Sequence, residues 1–206
     1  MPQGQLFVIS APSGAGKTSL VAATIARVSD LTVSVSHTTR SPRPGEVDGR
    51  DYHFVDQSEF DALIASQALF EHAQVFGNFY GTSKEAIESQ LASGIDVILE
   101  IDWQGASQVR MMAPDAMSIF ILPPTRDELR ERLIGRQQDD PSVIDSRMAE
   151  ADETIEQAPY FDYWVINDDF EIAIEQLKSI IISHRQRRAQ IQAKHPNFLE
   201  KLLGHQ

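Results

Sequence analysis

The residues Ser10-Ala11-Pro12-Ser13-Gly14-Ala15-Gly16-Lys17-Thr18 constrain this chain more than any other stretch. They follow a short apolar run, Leu6-Phe7-Val8-Ile9, and precede helix-type spacing from Leu20 to Val28. A strand, a run of small residues and a helix, in that order, make a cradle for phosphate. Small residues let backbone N–H groups turn inward around phosphate oxygens, and the helix N-terminus adds the positive end of its dipole. In such a cradle Ala11, Pro12, Ser13, Gly14, Ala15 and Gly16 supply backbone. Lys17 reaches the outer phosphates, and the Thr18 hydroxyl is a direct ligand for Mg²⁺. The formal pattern begins with Gly where this chain has Ala11; Gly14, Gly16, Lys17 and Thr18 are intact. Taken alone, the motif predicts a bound nucleoside triphosphate and leaves open an ATPase, a GTPase, a transporter or a small-molecule kinase.

The rest of the chain supplies more buried strands. Val97-Ile98-Leu99-Glu100-Ile101, Ile119-Phe120-Ile121-Leu122 and Tyr163-Trp164-Val165-Ile166 are continuous apolar runs, separated by helical patterns near 106–112 and from about 170 to 188. That alternation predicts an α/β fold of three layers, with a parallel central sheet and helices on both faces. Asp102 ends the first of these runs. It can hold a water of the Mg²⁺ shell or cap the helix that follows, and both roles can coexist. Two segments break the rhythm. Residues about 34–94 mix short β-like pieces (Val33 to Ser36, Tyr52 to Val55) with Pro, Gly and polar residues, as in an insertion with its own small mixed sheet. Residues about 126–157 are helical, charged and interrupted by Gly135 and Pro141; they read as a mobile helical cover that buries little apolar surface. The core is then about 1–33, 95–125 and 158–190, within one domain spanning 1–206. A tail of about 190–206 is broken by Pro196.

The chain has 206 residues and a formal net charge of −12, which argues against a general nucleic-acid binder. Arg40, Arg43 and Arg50 nevertheless cluster in one segment, and Arg126, Arg130, Arg132, Arg136 and Arg147 in another, a distribution suited to a small polyanion. No apolar run approaches the ~20 residues of a membrane-spanning helix. Met1-Pro2-Gln3-Gly4-Gln5 has neither a basic cluster nor an apolar stretch, and the chain has no Cys, so a cytoplasmic protein without disulfides is expected. None of the six His residues has a partner at metal-ligand spacing; His37 reads as a loop residue. An Asn-Lys-x-Asp guanine reader of GTPases is absent from the sequence, and small size with two insertions favours a nucleotide kinase.

The stretch from Val35 to Phe54, with Thr38-Thr39-Arg40-Ser41-Pro42-Arg43-Pro44-Gly45 at its centre, resembles the signature of guanylate kinases. So do Phe70-Glu71, Gly77-Asn78-Phe79-Tyr80-Gly81-Thr82, Glu100-Ile101-Asp102-Trp103-Gln104-Gly105 and Val165-Ile166-Asn167-Asp168-Asp169, in order, from about residue 5 to 185. The resemblance implies a reversible ATP:GMP phosphotransferase with ATP and Mg²⁺. It makes 34–94 the GMP-binding insertion and 126–157 the lid. By the same resemblance Arg40, Arg43, Tyr52 and Tyr80 hold the acceptor phosphate, and Ser36, Glu71, Thr82 and Glu100 read the guanine. Arg132, Arg136 and Arg147 close over the transferred group, Asn167 and Asp168 lie near the donor adenine, and Lys17, Arg40 and the lid arginines carry catalysis. Gln137 stands where many members of the family have Gly. The chemistry agrees, because guanine presents N1–H and N2–H₂ on one edge, two donors that one carboxylate accepts together, whereas adenine presents an acceptor at N1. Two other classes remain: a non-catalytic guanylate-kinase-like binding module, which generally lacks the phosphate-binding lysine, and a related kinase for another phosphorylated acceptor. Acceptance of dGMP and assembly into a homo-oligomer are left open.

Overall fold

Side chains that alternate along a strand must be apolar on both faces when helices cover both, and the central strands here meet that condition. A computed structural model describes residues 3–75, 77–135 and 141–204, so Arg136 and Gln137 lie outside the described residues. In chain order the elements are β1 (Leu6–Ser10), α1 (Lys17–Ile25), β2 (Leu31–Val33), β3 (His37–Thr38), β4 (His53–Phe54), α2 (Gln57–Ala65), β5 (Leu69–Val75), β6 (Asn78–Ser83) and α3 (Lys84–Ala92). There follow β7 (Asp96–Glu100), α4 (Trp103–Met112), β8 (Met117–Leu122), α5 (Arg126–Ile134), α6 (Pro141–Ile155), a 3-10 turn (Ala158–Tyr160), β9 (Tyr163–Ile166), α7 (Phe170–Arg185), α8 (Arg188–Lys194) and α9 (Phe198–Leu202).

The larger sheet has the order β2-β7-β1-β8-β9 with every pairing parallel. Phe7, Ile9, Ile119 and Ile121 point to one side and join Leu20, Ile174 and Leu177 of α1 and α7 in one apolar cluster. Leu6, Val8, Val97, Leu99 and Phe120 point to the other side and join Ile87, Ala106 and Val109 of α3 and α4. Burying a side chain of that size contributes roughly 1.5–3 kcal/mol, so these two layers dominate the stability. The order reverses around β1, and ligands of such sheets sit at the carboxyl ends of the strands on either side of the reversal. Here those ends lead into the Ser10–Thr18 loop and the Ile101–Trp103 turn.

The smaller sheet is mixed, in the order β4-β3-β6-β5. Helix α4 packs on β1 of the large sheet and on β5 of the small one, and so links the two.

Several expectations change in detail. Residues 34–36 are not a strand; they join β2, on the edge of the large sheet, to β3 of the small one. His37 lies in β3 rather than a loop, with its ring stacked 4.7 Å from that of His53. α1 begins at Lys17, within the phosphate-binding motif, and α7 ends at Arg185, after which the chain turns into two short helices on either side of Pro196. The segment 126–157 also buries more than its charge suggests. Leu129 and Leu133 of α5 meet Ile144, Met148 and Ala151 of α6 in a cluster of their own, because each helix needs only one i, i+4 stripe to pair with the other.

Candidate active site

The loop after β1 is shaped by two glycines. Gly14 and Gly16 have φ of 92° and 91°, conformations that residues with a Cβ rarely adopt. Their missing side chains also make room: a Cβ on Gly14 would lie 3.1 Å from Leu129 and Leu133 of α5, and one on Gly16 would lie 2.5 Å from Asn167 Nδ2. Helix α1 opens directly from this loop with no side-chain cap and no acidic residue in its first turn. By contrast α2, α3, α4, α5 and α7 are capped by Asp56, Ser83, Asp102, Thr125 and Asp169. The first amides of α1 are therefore left for an anion.

Lys17 is half-buried at the foot of the loop. Its Nζ donates to Ile101 O at 3.2 Å. Burial pushes its pKa down, while the negative charges of Glu100, Asp102 and Glu71 act in the opposite direction. Asp102 caps α4 through Oδ1, which accepts from Gly105 N at 2.9 Å, and its Oδ2 accepts from Gln104 Nε2 at 3.2 Å. The capping role is thus realised. Asp102 and Thr18 both border the same cavity, of about 510 Å³, together with Lys17. Among the described residues no group of three or more His, Asp or Glu converges as a cage for a metal. One hydroxyl and one carboxylate suit Mg²⁺, which keeps several waters and takes other oxygens from phosphate.

The far side of that cavity is lined by Ser36, Arg40, Arg43, Tyr52, Glu71, Tyr80 and Glu100. Arg40 is held by a two-pronged ion pair with Glu46, Nη1 to Oε2 at 3.0 Å and Nη2 to Oε1 at 2.8 Å. Glu46 also accepts from Arg43 N at 2.6 Å. The guanidinium carbon of Arg40 stands 5.4 Å from the centre of the Tyr52 ring, and the Tyr52 and Tyr80 rings meet edge-on at 6.0 Å. Burial pushes the Tyr52 hydroxyl up in pKa, so it stays a proton donor.

Glu71 sits on β5 and is only 3% exposed. Thr82 Oγ1 donates to its Oε1 at 2.6 Å, and Ser36 Oγ lies 3.1 Å from Thr82 Oγ1, a chain from β6 across to the 34–36 linker. Desolvation pushes the Glu71 carboxyl up to about 7, against the lowering effect of the Thr82 bond. Glu100 Oε1 is buried and accepts no hydrogen bond among the described residues. Two carboxylates thus offer lone pairs at the end of the cavity where Arg40 and Arg43 also stand, and Lys17 and backbone amides lie at the other.

The structure gathers most, but not all, of the sequence candidates. Ala11, Pro12, Ser13, Gly14, Gly16, Lys17 and Thr18 line the cavity, whereas Ala15 is buried beneath the loop. Thr82 stands behind Glu71, fully buried. Asn167 is buried too, and its Nδ2 donates to Ala15 O at 2.7 Å, so it buttresses the loop from below; Asp168 is exposed. Arg132 bonds Glu128 Oε1 at 3.2 Å and Asn167 O at 3.0 Å, which ties α5 to the turn after β9. Arg147 lies on α6, outside the cavity lining. Sequence reasoning missed Glu46, whose signal was one of two acids, with Asp48, between Arg43 and Arg50, and missed Glu150, Glu153 and Thr154 of α6, which line the same cavity and carried no signal. A wider groove of about 700 Å³ runs along β9 and α7, but Trp164, Ile166, Ile172 and Ile180 give it an apolar floor with no phosphate-binding residue.

The guanylate kinase family pattern matches residues 3–184. A guanylate kinase of Saccharophagus degradans is 56% identical over 203 residues, covering 98% of this chain and 99% of that protein. A guanylate kinase of Escherichia coli K12 is 52% identical over 206 residues, covering 99% of this chain and all of that protein. Among solved structures, guanylate kinase from Anaplasma phagocytophilum superposes with a TM-score of 0.76 at 33% identity, over 92% of this chain and 90% of that one. A cradle for phosphate facing a buried carboxylate, on a chain this similar from end to end, has one family to which it fits: the chain belongs to the guanylate kinase family.

Proposed function

We propose that the chain transfers the γ-phosphoryl group of ATP to GMP, reversibly, giving ADP and GDP. The observation that carries this reading is a single cavity with the glycine-rich loop and Lys17 at one end and Arg40, Arg43, Tyr52, Tyr80, Glu71 and Glu100 at the other. A donor and an acceptor nucleotide placed there meet phosphate to phosphate. In that arrangement the enzyme positions two oxygens in line and offsets charge, with no covalent enzyme intermediate and no general base, since the GMP phosphate is already ionised near neutral pH.

Each group then has a task. Backbone amides of Ala11 to Gly16 and the open end of α1 hold the ATP phosphates. Lys17 leaves Ile101 O for the outer phosphates, where its charge is no longer set only against Glu100, Asp102 and Glu71. Arg40 and Arg43 bind the GMP phosphate, and Glu46 holds the Arg40 fork flat in advance, which reduces the entropy lost on binding. Tyr52 and Tyr80 donate to the same phosphate. Glu71, ionised when occupied, accepts guanine N1–H and N2–H₂, with Thr82 and Ser36 behind it and Glu100 beside it. Mg²⁺, bound with ATP, would supply charge neutralisation between the phosphates, held by Thr18 directly and by Asp102 through water. Residues 34–94 serve as the GMP-binding insertion and 126–157 as the lid, with Arg132, Arg136 and Arg147 as its cations; the 1–33, 95–125 and 158–190 core stays fixed. Packing of Leu129 and Leu133 against Gly14 supports a lid that reports on the phosphate loop. Among the described residues no helix is long and apolar enough to cross a membrane, which fits a cytoplasmic enzyme.

A panel of GMP, dGMP, IMP, AMP and UMP with ATP and Mg²⁺ tests the reading. Turnover of GMP far above AMP and UMP is expected. Absence of GMP turnover would favour a binding module, and a preference for another acceptor would reassign the carboxylates.

A further inference from the structure

Glu71 lies on β5, the edge strand of the small sheet. An edge strand has one side without a ladder, so it is a loose place from which to aim a side chain that must meet two donors at once. On β5 the open side is met at His72 by a residue of the core. Gln108 of α4 accepts from His72 N at Oε1, 3.1 Å, and donates from Nε2 to His72 O, 2.6 Å. Its amide reproduces what a neighbouring strand would offer, an acceptor and a donor to the same residue, next in sequence to Glu71.

One turn earlier on the same helix face, Gly105 contributes the absence of a side chain. A Cβ there would overlap Glu71 Oε2 and lie 3.2 Å from its carboxyl carbon. Alanine would suit a helix better than glycine by about 1 kcal/mol, so helix formation does not account for the glycine. Gly105 N also donates to Asp102 Oδ1, so one turn of α4 touches the groups at both ends of the cavity.

We propose that Gly105 and Gln108 form a platform on α4 that sets the direction of the Glu71 carboxylate, and that they are positioning residues for purine selection. The proposal rests on the base-reading role given to Glu71 above. Gln108 fixes the height of β5 against the core, and Gly105 fixes how closely the carboxylate lies against the helix. IMP is the sensitive probe, because it keeps the N1–H of guanine and lacks the N2 amine, so the GMP/IMP ratio reports whether both donors are met.

The experiment compares wild type, Gly105→Ala, Gln108→Leu, Gln108→Glu and Glu71→Gln in kcat/KM for GMP and IMP, in KM for ATP and in melting temperature. Misplacement by about an ångström costs on the order of 100-fold at a reacting or reading group. Gly105→Ala and Gln108→Leu are therefore expected to lower the GMP/IMP ratio by roughly 10- to 100-fold, through KM for the acceptor, with KM for ATP unchanged. Gln108→Glu, which keeps the acceptor for His72 N, is expected to recover part of the ratio. In the Glu71→Gln background, Gln108→Leu should leave the ratio where it is, since its effect runs through the carboxylate. If Glu71→Gln collapses the ratio while Gly105→Ala and Gln108→Leu lower GMP and IMP turnover equally, or only the melting temperature, the platform is structural and the proposal is overturned. If wild type does not use GMP, or Glu71→Gln keeps the ratio, the base-reading role itself falls and takes the platform with it.

Discussion

The two ends of the cavity are built from different material. The phosphate end is mostly backbone, held between the central strand β1 and α1, and its ligand groups arise from nine consecutive residues. The base end is mostly side chains, drawn from the 34–36 linker, β5, β6 and β7, and its key carboxylate sits on an edge strand. A triphosphate is recognised by charge and shape, which amides in a fixed loop provide without any side chain having to be aimed. A purine is recognised by the position of two donors, which requires an acceptor aimed from the side and desolvated. The phosphate end is therefore stiff and inexpensive to keep, whereas the base end holds a buried carboxylate that opposes folding when it is charged.

The largest effect should come from removing the one side chain on which the backbone-built end depends. Lys17→Met is expected to lower kcat by about 10³-fold or more, because charge stabilisation in a dry site is worth several kcal/mol. Its melting temperature should equal or exceed that of wild type, since a desolvated ammonium is replaced by an apolar chain of similar length. Turnover near the wild-type value would separate the loop from catalysis. The base end is broken next by Glu71→Gln, for which a loss of GMP over AMP selectivity of about 10²-fold or more is expected in kcat/KM. ATP affinity, read by fluorescent nucleotide displacement, should be unchanged. If ATP affinity falls with selectivity, the two ends are not independent. Glu46→Gln is a smaller test, of preorganisation alone: Arg40 keeps its charge and loses its fixed fork. KM for GMP should rise about 10-fold with kcat within a few-fold, and an unchanged KM would mean that Tyr52 stacking suffices to hold the guanidinium.

The same contrast explains what was legible in the sequence. Ser10 to Thr18 is contiguous, follows an apolar strand and contains glycines that the backbone demands, so the residues themselves pointed to phosphate. Glu71 does not announce itself. It lies in a strand with ordinary alternation, and its role depends on Thr82, eleven residues on, and on Gly105 in another layer. Only the ordered set of motifs shared with guanylate kinases singled it out. The short strands β3 and β4 have two residues each, too few for a period of two to be visible, and so 34–36 read as strand when it is a linker. The lid's apolar cluster was present in the sequence as Leu129 and Leu133 with Ile144, Met148 and Ala151, but two narrow stripes on highly charged helices have low average hydropathy. Their pairing is a tertiary fact. Glu46 was passed over because an acid among arginines reads as local neutralisation, and nothing in its spacing says that it grips one guanidinium with both oxygens.

The smallest expected effect bears most directly on the cost of the side-chain-built end. The Glu71 carboxyl is raised from an ordinary value near 4.5 to about 7 by desolvation. A carboxyl raised on folding contributes stability that is complete below its unfolded pKa and is lost as pH climbs through its folded one. The ligand-free protein should thus lose stability between about pH 4.5 and 7, and the loss from this group has a ceiling of about 3 kcal/mol. Asp102 is raised by burial as well and its charge raises Glu71 in turn, so the two protons come off as a coupled pair and the Glu71 share is smaller than the ceiling. Glu71→Gln cannot ionise. Its melting temperature should match wild type near pH 5 and exceed it by a few degrees at pH 8, at about 2–4 °C per kcal/mol for a chain of this size. Guanine reverses the sign, because two N–H donors favour the ionised carboxylate. GMP at a concentration that just saturates wild type should stabilise it at pH 8 and stabilise Glu71→Gln less, and below pH 7 GMP binding to wild type should release a proton, seen as a buffer-dependent heat in calorimetry. A pH-independent difference between the two melting curves would mean that Glu71 is not held against its own charge, and that the base end is as stiff and as undemanding as the loop across from it.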